Sequence, residues 1–234
     1  IDSAYEDMAA LILSRTGLVL PSSRRSDVEG AFRKIIAKTG AVDGQKCLDQ
    51  IEADEQLFDA LIAEVTIGET YFFREPDQFT FVRETIIPEI RQLRGPEHGL
   101  RVWSAGCSSG EEPYSLAILF EEAGLVGRAR ILATDISRAA LARAKQAEYS
   151  AWSLRGDGAR FADQYLRRLN GRFELAERFR ERVEFAYLNL AQDSYPTFAT
   201  NTWSMDLILC RNVLIYLDGK TISDVARRLY ESLA

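Results

Sequence analysis

The chain has 234 residues and a formal net charge of −6 at pH 7, and 47% of its residues are hydrophobic. This composition is that of an ordinary globular protein of one or two domains, and it excludes a disordered chain. The acidic balance argues against nucleic-acid binding, and no apolar run approaches the roughly 18 to 20 residues that a membrane span needs.

Helical periodicity dominates the first part of the chain. Apolar residues recur three or four positions apart over residues 5–12 and again over residues 57–65. Gly17 stands where the first helix would end, and Gly40 stands where a second helix, which begins near Ser22, would end. We therefore predict a small all-helical domain over residues 1–66.

The pattern changes near residue 100. Residues 67–99 are predicted to form a linker and a connecting helix that is bent or restarted at Pro88. Beyond them, short β-rich runs alternate with helical runs, which is typical of a parallel sheet with crossover helices. The predicted strands cover residues 101–105, 130–134, 183–185 and 206–210, and the predicted helices cover residues 111–123, 137–147 and 218–233. We expect a Rossmann-like α/β domain over residues 100–234, with ligands bound at the carboxyl ends of its strands.

The first predicted strand ends in a glycine loop that runs from Gly106 to Gly110 and is followed by Glu111 and Glu112. The spacing is not that of a dinucleotide fingerprint, and two carboxylates at the helix start disfavour a pyrophosphate. Glycine allows close approach of a ligand to the backbone. We therefore expect a cationic nucleoside that carries no phosphate, with a plain structural turn as an equal alternative.

Polar residues follow the other predicted strands at the same edge of the sheet. Asp135 ends the second strand, where a carboxylate can accept hydrogen bonds from ribose hydroxyls. The alternative is that Asp135 only caps the helix that begins near Ser137. Further candidates follow the third and fourth strands, where loop residues tend to carry function. They are Asn189, Leu190, Arg211, Asn212 and Tyr216.

Histidine and cysteine usage narrows the possible chemistry. His98 is the only histidine, and it lies in a turn-forming run, so histidine-based acid/base catalysis is not expected. Cys47, Cys107 and Cys210 are far apart and lack C-x-x-C spacing, which indicates neither a disulfide framework nor a metal site. The first residues carry acids where a signal peptide carries lysine or arginine. We expect a cytoplasmic protein without a metal.

Three stretches carry a family resemblance. Residues 70–75 read TYFFRE, residues 102–115 read VWSAGCSSGEEPYS, and residues 210–216 read CRNVLIY. Together and in this order they closely resemble the chemotaxis receptor methyltransferases, the CheR family, and the resemblance covers nearly the whole chain. It implies a helical N-terminal domain joined to an S-adenosylmethionine-binding α/β domain. It also implies an enzyme that esterifies glutamate side chains of a chemoreceptor-like protein and releases S-adenosylhomocysteine.

The resemblance also implies roles for individual residues. Arg74 and Tyr216 would form the catalytic pair. The cofactor contacts would fall on Gly68, Thr70, Arg74, Gly106, Glu111, Glu112, Asp135, Asn189, Leu190, Arg211 and Asn212. Gly68 stands where some family members carry asparagine, so one side-chain contact is absent there. The runner-up function is a non-catalytic, S-adenosylmethionine-binding regulatory module, whose sequence should have lost Arg74 or Tyr216. A nicotinamide-dependent oxidoreductase would need a dinucleotide fingerprint, which this loop lacks.

The expected partner is the set of methylation helices on the chemoreceptor. A basic stretch of the second helix is the candidate docking surface, with an ordinary solvated face as the alternative. Its cations are Arg24, Arg25, Arg33, Lys34 and Lys38, diluted by Asp27 and Glu29. The family normally continues with further strands beyond the last predicted helix, so we also expect that the domain is truncated at its C-terminal end.

A second docking mode occurs in some members of the family. They add a peptide tethered to the receptor's C-terminus as an extra strand on a small β-subdomain with a glycine-rich loop. Here residues 169–174 offer a single Asn170-Gly171 turn, and no further glycine precedes Phe185. We predict that the hairpin forms but that the enzyme does not depend on the tethered pentapeptide. The alternative is that Asn170-Gly171 alone suffices.

Overall fold

The computed structural model describes residues 2–234, so residue 1 of the predicted helical domain lies outside it. The N-terminal region is helical, as predicted. Its helices are α1 (Asp2–Thr16), α2 (Arg25–Thr39), α3 (Gly44–Ala53) and α4 (Glu55–Val65). Asp43 and Asp54 cap α3 and α4 by accepting hydrogen bonds from the N–H groups of Lys46 and Gln56. The apolar faces of all four helices meet in one core, which includes the fully buried Met8 and Ile51.

The connecting segment forms one helical rod with an irregular centre. Its parts are α5 (Pro76–Phe81), a π-helical turn (Val82–Ile86) and α6 (Ile87–Arg94). Pro88 lies in the first turn of α6. Proline has no N–H group to donate within a helix, and the wider π-turn just before it accommodates that loss. Phe79 and Val82 of this rod pack into the core of the α/β region rather than that of the N-terminal helices.

The rest of the chain contains two sheets. Its elements, in order, are β1 (Leu100–Ala105), α7 (Glu111–Glu122), β2 (Ala129–Asp135), α8 (Arg138–Gln146), β3 (Glu148–Tyr149), α9 (Arg160–Asp163), β4 (Leu166–Leu169), β5 (Arg172–Leu175), α10 (Glu177–Arg180), β6 (Val183–Tyr187), β7 (Leu207–Leu209) and α11 (Gly219–Ser232). The main sheet has the order β6-β2-β1-β7, and its strands are all parallel. This is the predicted Rossmann-like sheet, and its four strands and the helices α7, α8 and α11 lie where the alternation placed them.

The second sheet is small and antiparallel, with the order β3-β5-β4. The turn between β4 and β5 is Asn170-Gly171, and both residues have positive φ angles, 49° and 79°. Two consecutive residues with positive φ are the signature of a tight hairpin turn whose twist matches the strands. The predicted hairpin therefore forms. The sequence did not indicate β3, because a strand of two residues leaves no alternating pattern.

The helical region and the α/β region are in direct contact. Val19, in the loop after α1, donates its backbone N–H to the carbonyl of Tyr216 at 2.8 Å. Asn189 donates its side-chain amide to the carbonyl of Arg15 at 2.7 Å, and Arg138 pairs with Asp59 at 2.9 Å. Within residues 2–234, no helix is long and apolar enough to cross a membrane.

Candidate active site

A cleft opens at the carboxyl ends of the main-sheet strands, between that sheet and the N-terminal helices. Eleven of the twelve residues predicted from the sequence line it. They are Gly68, Thr70, Arg74, Gly106, Glu112, Asp135, Asn189, Leu190, Arg211, Asn212 and Tyr216. The exception is Glu111. Its side chain is buried beside the cleft, where it accepts a hydrogen bond from the Ser109 hydroxyl at 2.8 Å.

The glycine loop after β1 turns its N–H groups away from the cleft. The N–H groups of Gly106 and Cys107 both donate to the carbonyl oxygen of Thr134, at 2.8 and 2.9 Å. The next N–H, that of Ser108, donates to Oδ2 of Asp135 at 2.8 Å. A loop that cradles phosphate presents free N–H groups to its ligand. This loop is instead tied to the neighbouring strand, so it is not built for a pyrophosphate.

Glycine at position 106 is also required by packing within the protein. Gly106 has a φ of +82°, and a Cβ placed there would lie 2.3 Å from Cγ2 of Val213. Glycine at this position therefore lets the loop after β7 pack closely, and Gly106 also lines the cleft. Gly110, at φ +92°, similarly faces Ala144 of α8, with 3.0 Å between an added Cβ and the Ala144 Cβ. Both glycines set the packing of the loop around the cleft.

Asp135 stands at the tip of β2 and holds two loops together. Its Oδ2 accepts from Ser108, and its Oδ1 accepts from the N–H of Ser137 at 2.8 Å. The N-cap of α8 is Ser137 itself, whose hydroxyl accepts from Ala140 at 3.2 Å. An ionised carboxylate offers about four lone-pair sites, so Asp135 retains capacity to accept a hydrogen bond from a ligand. Burial raises the pKa of Asp135, although the backbone N–H groups of Ser137, Ser108 and Ile136 partly oppose that effect.

Glu112 faces the cleft from the start of α7. Its Oε1 accepts from the Ser104 hydroxyl at 2.7 Å, and its Oε2 pairs with Nη1 of Arg211 at 3.2 Å. Burial raises the pKa of Glu112, and the Ser104 and Arg211 hydrogen bonds counteract part of this rise. The carboxylate is thus held in place by the protein while one of its edges remains at the cleft wall.

Arg211 links three segments around the cleft. Besides Glu112, its guanidinium donates to the carbonyl oxygen of Arg74 and lies 3.4 Å from Oε2 of Glu75. The Nε of Arg211 is buried and has no hydrogen-bond partner within the described residues. Most of this fork is therefore engaged with protein groups, so its expected contact with a cofactor is limited to what the remaining donor can reach.

Arg74 projects from a distorted turn between the linker and α5. Its two neighbours both have left-handed backbones, Phe73 at φ 51° and Glu75 at φ 60°. Non-glycine residues in this region store strain of about 1 to 3 kcal/mol each, and such residues cluster at functional sites. Nη1 of Arg74 donates to the Glu69 carbonyl at 2.8 Å. Phe72 and Phe73 are buried in the core of the α/β region and do not line the cleft.

The N-terminal region supplies one wall of the cleft, which the sequence analysis missed. Thr16, Arg24 and the loop residues 18–20 line it together with Tyr216 and Leu217. The apolar run Leu18-Val19-Leu20, between Gly17 and Pro21, is the sequence signal for this wall. These residues belong to neither flanking helix, so their apolar side chains indicate a contact with another part of the protein. Both polar atoms of the Asn189 side chain are hydrogen-bonded within the protein. Its amide donates to the carbonyl of Arg15, and its Oδ1 accepts from the N–H of Ala191 at 3.0 Å.

No histidine lines the cleft. His98 lies elsewhere, where its Nε2 is 2.8 Å from Oδ1 of Asp206. Burial raises the pKa of the Cys107 thiol well above its usual value, so this lining cysteine stays protonated. Within the described residues, no group of three or more His, Cys, Asp or Glu side chains is placed to hold a metal ion. The site therefore suits a reaction that needs alignment and charge rather than a histidine base.

Comparison with known proteins gives one family and several relatives. The model for the CheR methyltransferase, SAM binding domain, matches residues 68–234. Chemotaxis protein methyltransferase 1 of Pseudomonas aeruginosa is 31% identical, over 97% of this chain and 84% of its own length. The chemotaxis protein methyltransferase of Salmonella typhimurium is 33% identical, over 97% and 78%. The probable biofilm formation methyltransferase WspC of Pseudomonas putida is 36% identical, over 92% of this chain and 51% of its own length.

Proposed function

The chain belongs to the CheR methyltransferase family, and from that premise we propose that it esterifies glutamate side chains of a chemoreceptor-like protein, using S-adenosylmethionine. The products are glutamate methyl esters and S-adenosylhomocysteine. The observation that carries the proposal is the composition of the cleft. It combines two anchored carboxylates, Asp135 and Glu112, with Arg74 and Tyr216, and its glycine loop offers no phosphate cradle.

The cleft fits a cationic nucleoside better than a dinucleotide. The free lone pairs of Asp135 suit ribose hydroxyls, and the carboxylate of Glu112 suits an ammonium group. The apolar walls formed by Leu18, Ile136 and Leu190 suit an adenine ring. We propose that Gly68, Thr70, Gly106, Asn189, Leu190, Arg211 and Asn212 complete the binding site, mostly by shape and backbone, whereas Glu111 supports Ser109 from behind.

The chemistry needs little acid or base assistance from the protein. S-adenosylmethionine supplies a methyl group on a positively charged sulfur, and the acceptor is a carboxylate. A glutamate with a pKa of about 4.3 is already ionised at pH 7, so no base has to remove a proton. We propose that Arg74 holds the acceptor carboxylate in line and that Tyr216 closes the cleft over it. Such alignment can supply about 7 to 11 kcal/mol of the barrier reduction.

The direct test is a transfer assay with labelled S-adenosylmethionine and a methyl-accepting receptor. We expect base-labile label on receptor glutamates, and calorimetry should show binding of S-adenosylhomocysteine but not of NAD. Binding without transfer would favour the regulatory-module alternative, whereas binding of NAD alone would overturn the assignment. Both Arg74 and Tyr216 are present at the cleft, which supports the catalytic reading.

We propose that the receptor's methylation helices dock on α2, next to the cleft. Arg24, at the entrance to α2, itself lines the cleft, so the basic stretch and the site are continuous. Several cations already have protein partners: Arg25 and Arg33 pair with Glu29 at 2.9 and 3.3 Å, and Lys34 pairs with Glu64 at 2.7 Å. Exposed pairs of this kind contribute about 0 to 1 kcal/mol. Acceptor carboxylates can therefore replace them, and Lys38 is exposed as well.

We also propose the following organisation. The helical domain spans residues 1–66, residues 67–99 connect the domains, and residues 100–234 form the methyltransferase domain. The separate apolar core of residues 5–65 supports the first boundary. The three cysteines are unpaired in the structure, which supports a cytoplasmic location.

We expect methylation to proceed without the receptor's C-terminal pentapeptide. The β4–β5 hairpin is short, its strands have four residues each, and its turn consists of Asn170 and Gly171 only. A strand-adding peptide would have a narrow edge to pair with. Calorimetric titration with the pentapeptide should give no detectable binding, while a receptor that lacks it should be methylated at the normal rate. Micromolar binding would contradict tether independence.

A further inference from the structure

Residues 152–158, here called the bracing segment, pack behind the turn that carries Arg74. None of them belongs to the motifs found in the sequence. The carbonyl of Ser153 accepts the N–H of Phe72 at 2.9 Å. Gly158 lies so close that an added Cβ would be 2.6 Å from the carbonyl oxygen of Phe73. Such close packing between two irregular segments indicates that the bracing segment fixes the shape of the turn that carries Arg74.

Arg155 is the centre of this contact. Its side chain is only 19% exposed. Nη1 donates to the carbonyls of Trp152 at 2.7 Å and Thr70 at 3.3 Å, and Nη2 donates to Oε1 of Glu69 at 3.0 Å. The guanidinium carbon lies 4.2 Å from the centroids of both the Tyr71 and Trp152 rings, so the fork is stacked between them.

These contacts lead to Arg74 by a short route. Arg155 holds the side chain of Glu69 and the carbonyl of Thr70, and the Glu69 carbonyl in turn accepts from Nη1 of Arg74 at 2.8 Å. Tyr71 lies between the two arginines, with the Arg74 guanidinium carbon 5.8 Å from the Tyr71 ring centroid. Arg155 itself does not line the cleft. Its direct contacts with the segment that carries Arg74 are with Glu69, Thr70 and Tyr71.

We propose that Arg155 is the positioning residue that holds the turn of residues 69–74 in the shape that places Arg74 and Thr70 in the cleft. The strained backbone on both sides of Arg74 needs such support, because left-handed conformations persist only when their surroundings fix them. A planar fork that bonds two carbonyls and a carboxylate while stacked between two rings is a task for arginine and not for lysine.

The test compares Arg155→Ala with Arg178→Ala. Arg178 is a matched control because it also pairs with a carboxylate, Glu121 at 3.1 Å, and lies over a ring, Phe179 at 4.6 Å, but outside the cleft. We expect Arg155→Ala to speed native-state amide exchange over residues 68–75 by about tenfold or more. We also expect kcat to fall about 10- to 100-fold, as for a slightly misplaced catalytic group. Arg178→Ala should change neither quantity.

Two further variants keep the inference open to refutation. Arg155→Lys retains the charge but should not restore kcat. Glu69→Gln weakens the contact between Glu69 and Arg155 but leaves Arg155 stacked on the Tyr71 and Trp152 rings. It should therefore speed amide exchange and lower kcat by smaller factors than Arg155→Ala. This variant keeps the test decisive even if Arg155→Ala fails to fold. Unchanged exchange over residues 68–75 in folded Arg155→Ala, or full rescue by lysine, would overturn the inference. The kcat measurement rests on the proposed function, whereas the amide-exchange measurement does not. If the wild-type protein had no transferase activity, amide exchange would still test the positioning role of Arg155.

Discussion

Replacing Arg74 by alanine should lower the rate of methyl transfer by at least about 100-fold, while the protein remains folded. The guanidinium is the cation at the cleft that we assign to the acceptor carboxylate, and alignment of this kind accounts for a large share of such a rate. The fold should survive because Arg74 is only half-buried and its guanidinium, among the described residues, donates to the Glu69 carbonyl alone. Circular dichroism and the labelled-methyl assay measure the two properties separately.

Arg83→Ala is a suitable control for this experiment. Arg83 lies on the connecting helical rod close in sequence to Arg74, is exposed, and pairs with Glu84 at 2.8 Å. It should transfer methyl groups at the wild-type rate. If Arg74→Ala turned over as fast as Arg83→Ala, the catalytic assignment would be wrong. If Arg74→Ala lost its circular dichroism signal, Arg74 would instead be a structural residue of its strained turn.

Replacing Asp135 by alanine should weaken binding of S-adenosylhomocysteine by about 1 to 3 kcal/mol, which is about 5- to 150-fold in Kd. The loss has two sources. Ligand hydroxyls lose a charged acceptor, and the N–H groups of Ser108 and Ser137 lose their partner, so the glycine loop is no longer tied to β2. Thermal stability should fall as well, because those N–H groups lie in a largely buried site.

Asp218→Ala separates the two contributions. Asp218 accepts the N–H groups of Lys220 and Thr221 at the start of α11, and it does not line the cleft. It should lower the melting temperature, as the loss of a helix cap does. Affinity for S-adenosylhomocysteine should stay at its wild-type value. Equal affinity in both variants by calorimetry would reduce Asp135 to a structural link between the glycine loop and the start of α8.

The main architecture could be predicted because periodicity and alternation are local signals. Each strand of the parallel sheet is a short β-rich run with its own flanking turns, and the edge at which polar residues collect follows from the βαβ rule. From that rule alone, Asp135 and Arg211 could be predicted to lie at the same edge of the sheet, and both line the cleft. The small sheet was found only in part, since its two-residue strand β3 is defined by pairing with β5 and not by its own sequence.

Other details depend on contacts between distant segments. Glu111 and Glu112 are adjacent at the start of a helix, where successive side chains point about 100° apart, so spacing alone could not decide which faces the cleft. The purpose of Gly106 depends on Val213, and the role we assign to Arg155 depends on Tyr71. A single sequence shows neither pair, because nothing local marks two residues as neighbours when they are far apart in the chain.

The pairing of the loop after α1 with the segment around Tyr216 has a consequence for synthesis. Leu18 forms a bridge with Leu217, so one wall of the cleft joins residues from nearly opposite ends of the chain. During translation the N-terminal helices emerge first and can complete their own core, whereas non-local contacts form only once both partners are available. A nascent chain is therefore expected to gain affinity for its cofactor abruptly, when the segment after β7 leaves the ribosome. Ligand capture by stalled intermediates would then report the closing of the cleft.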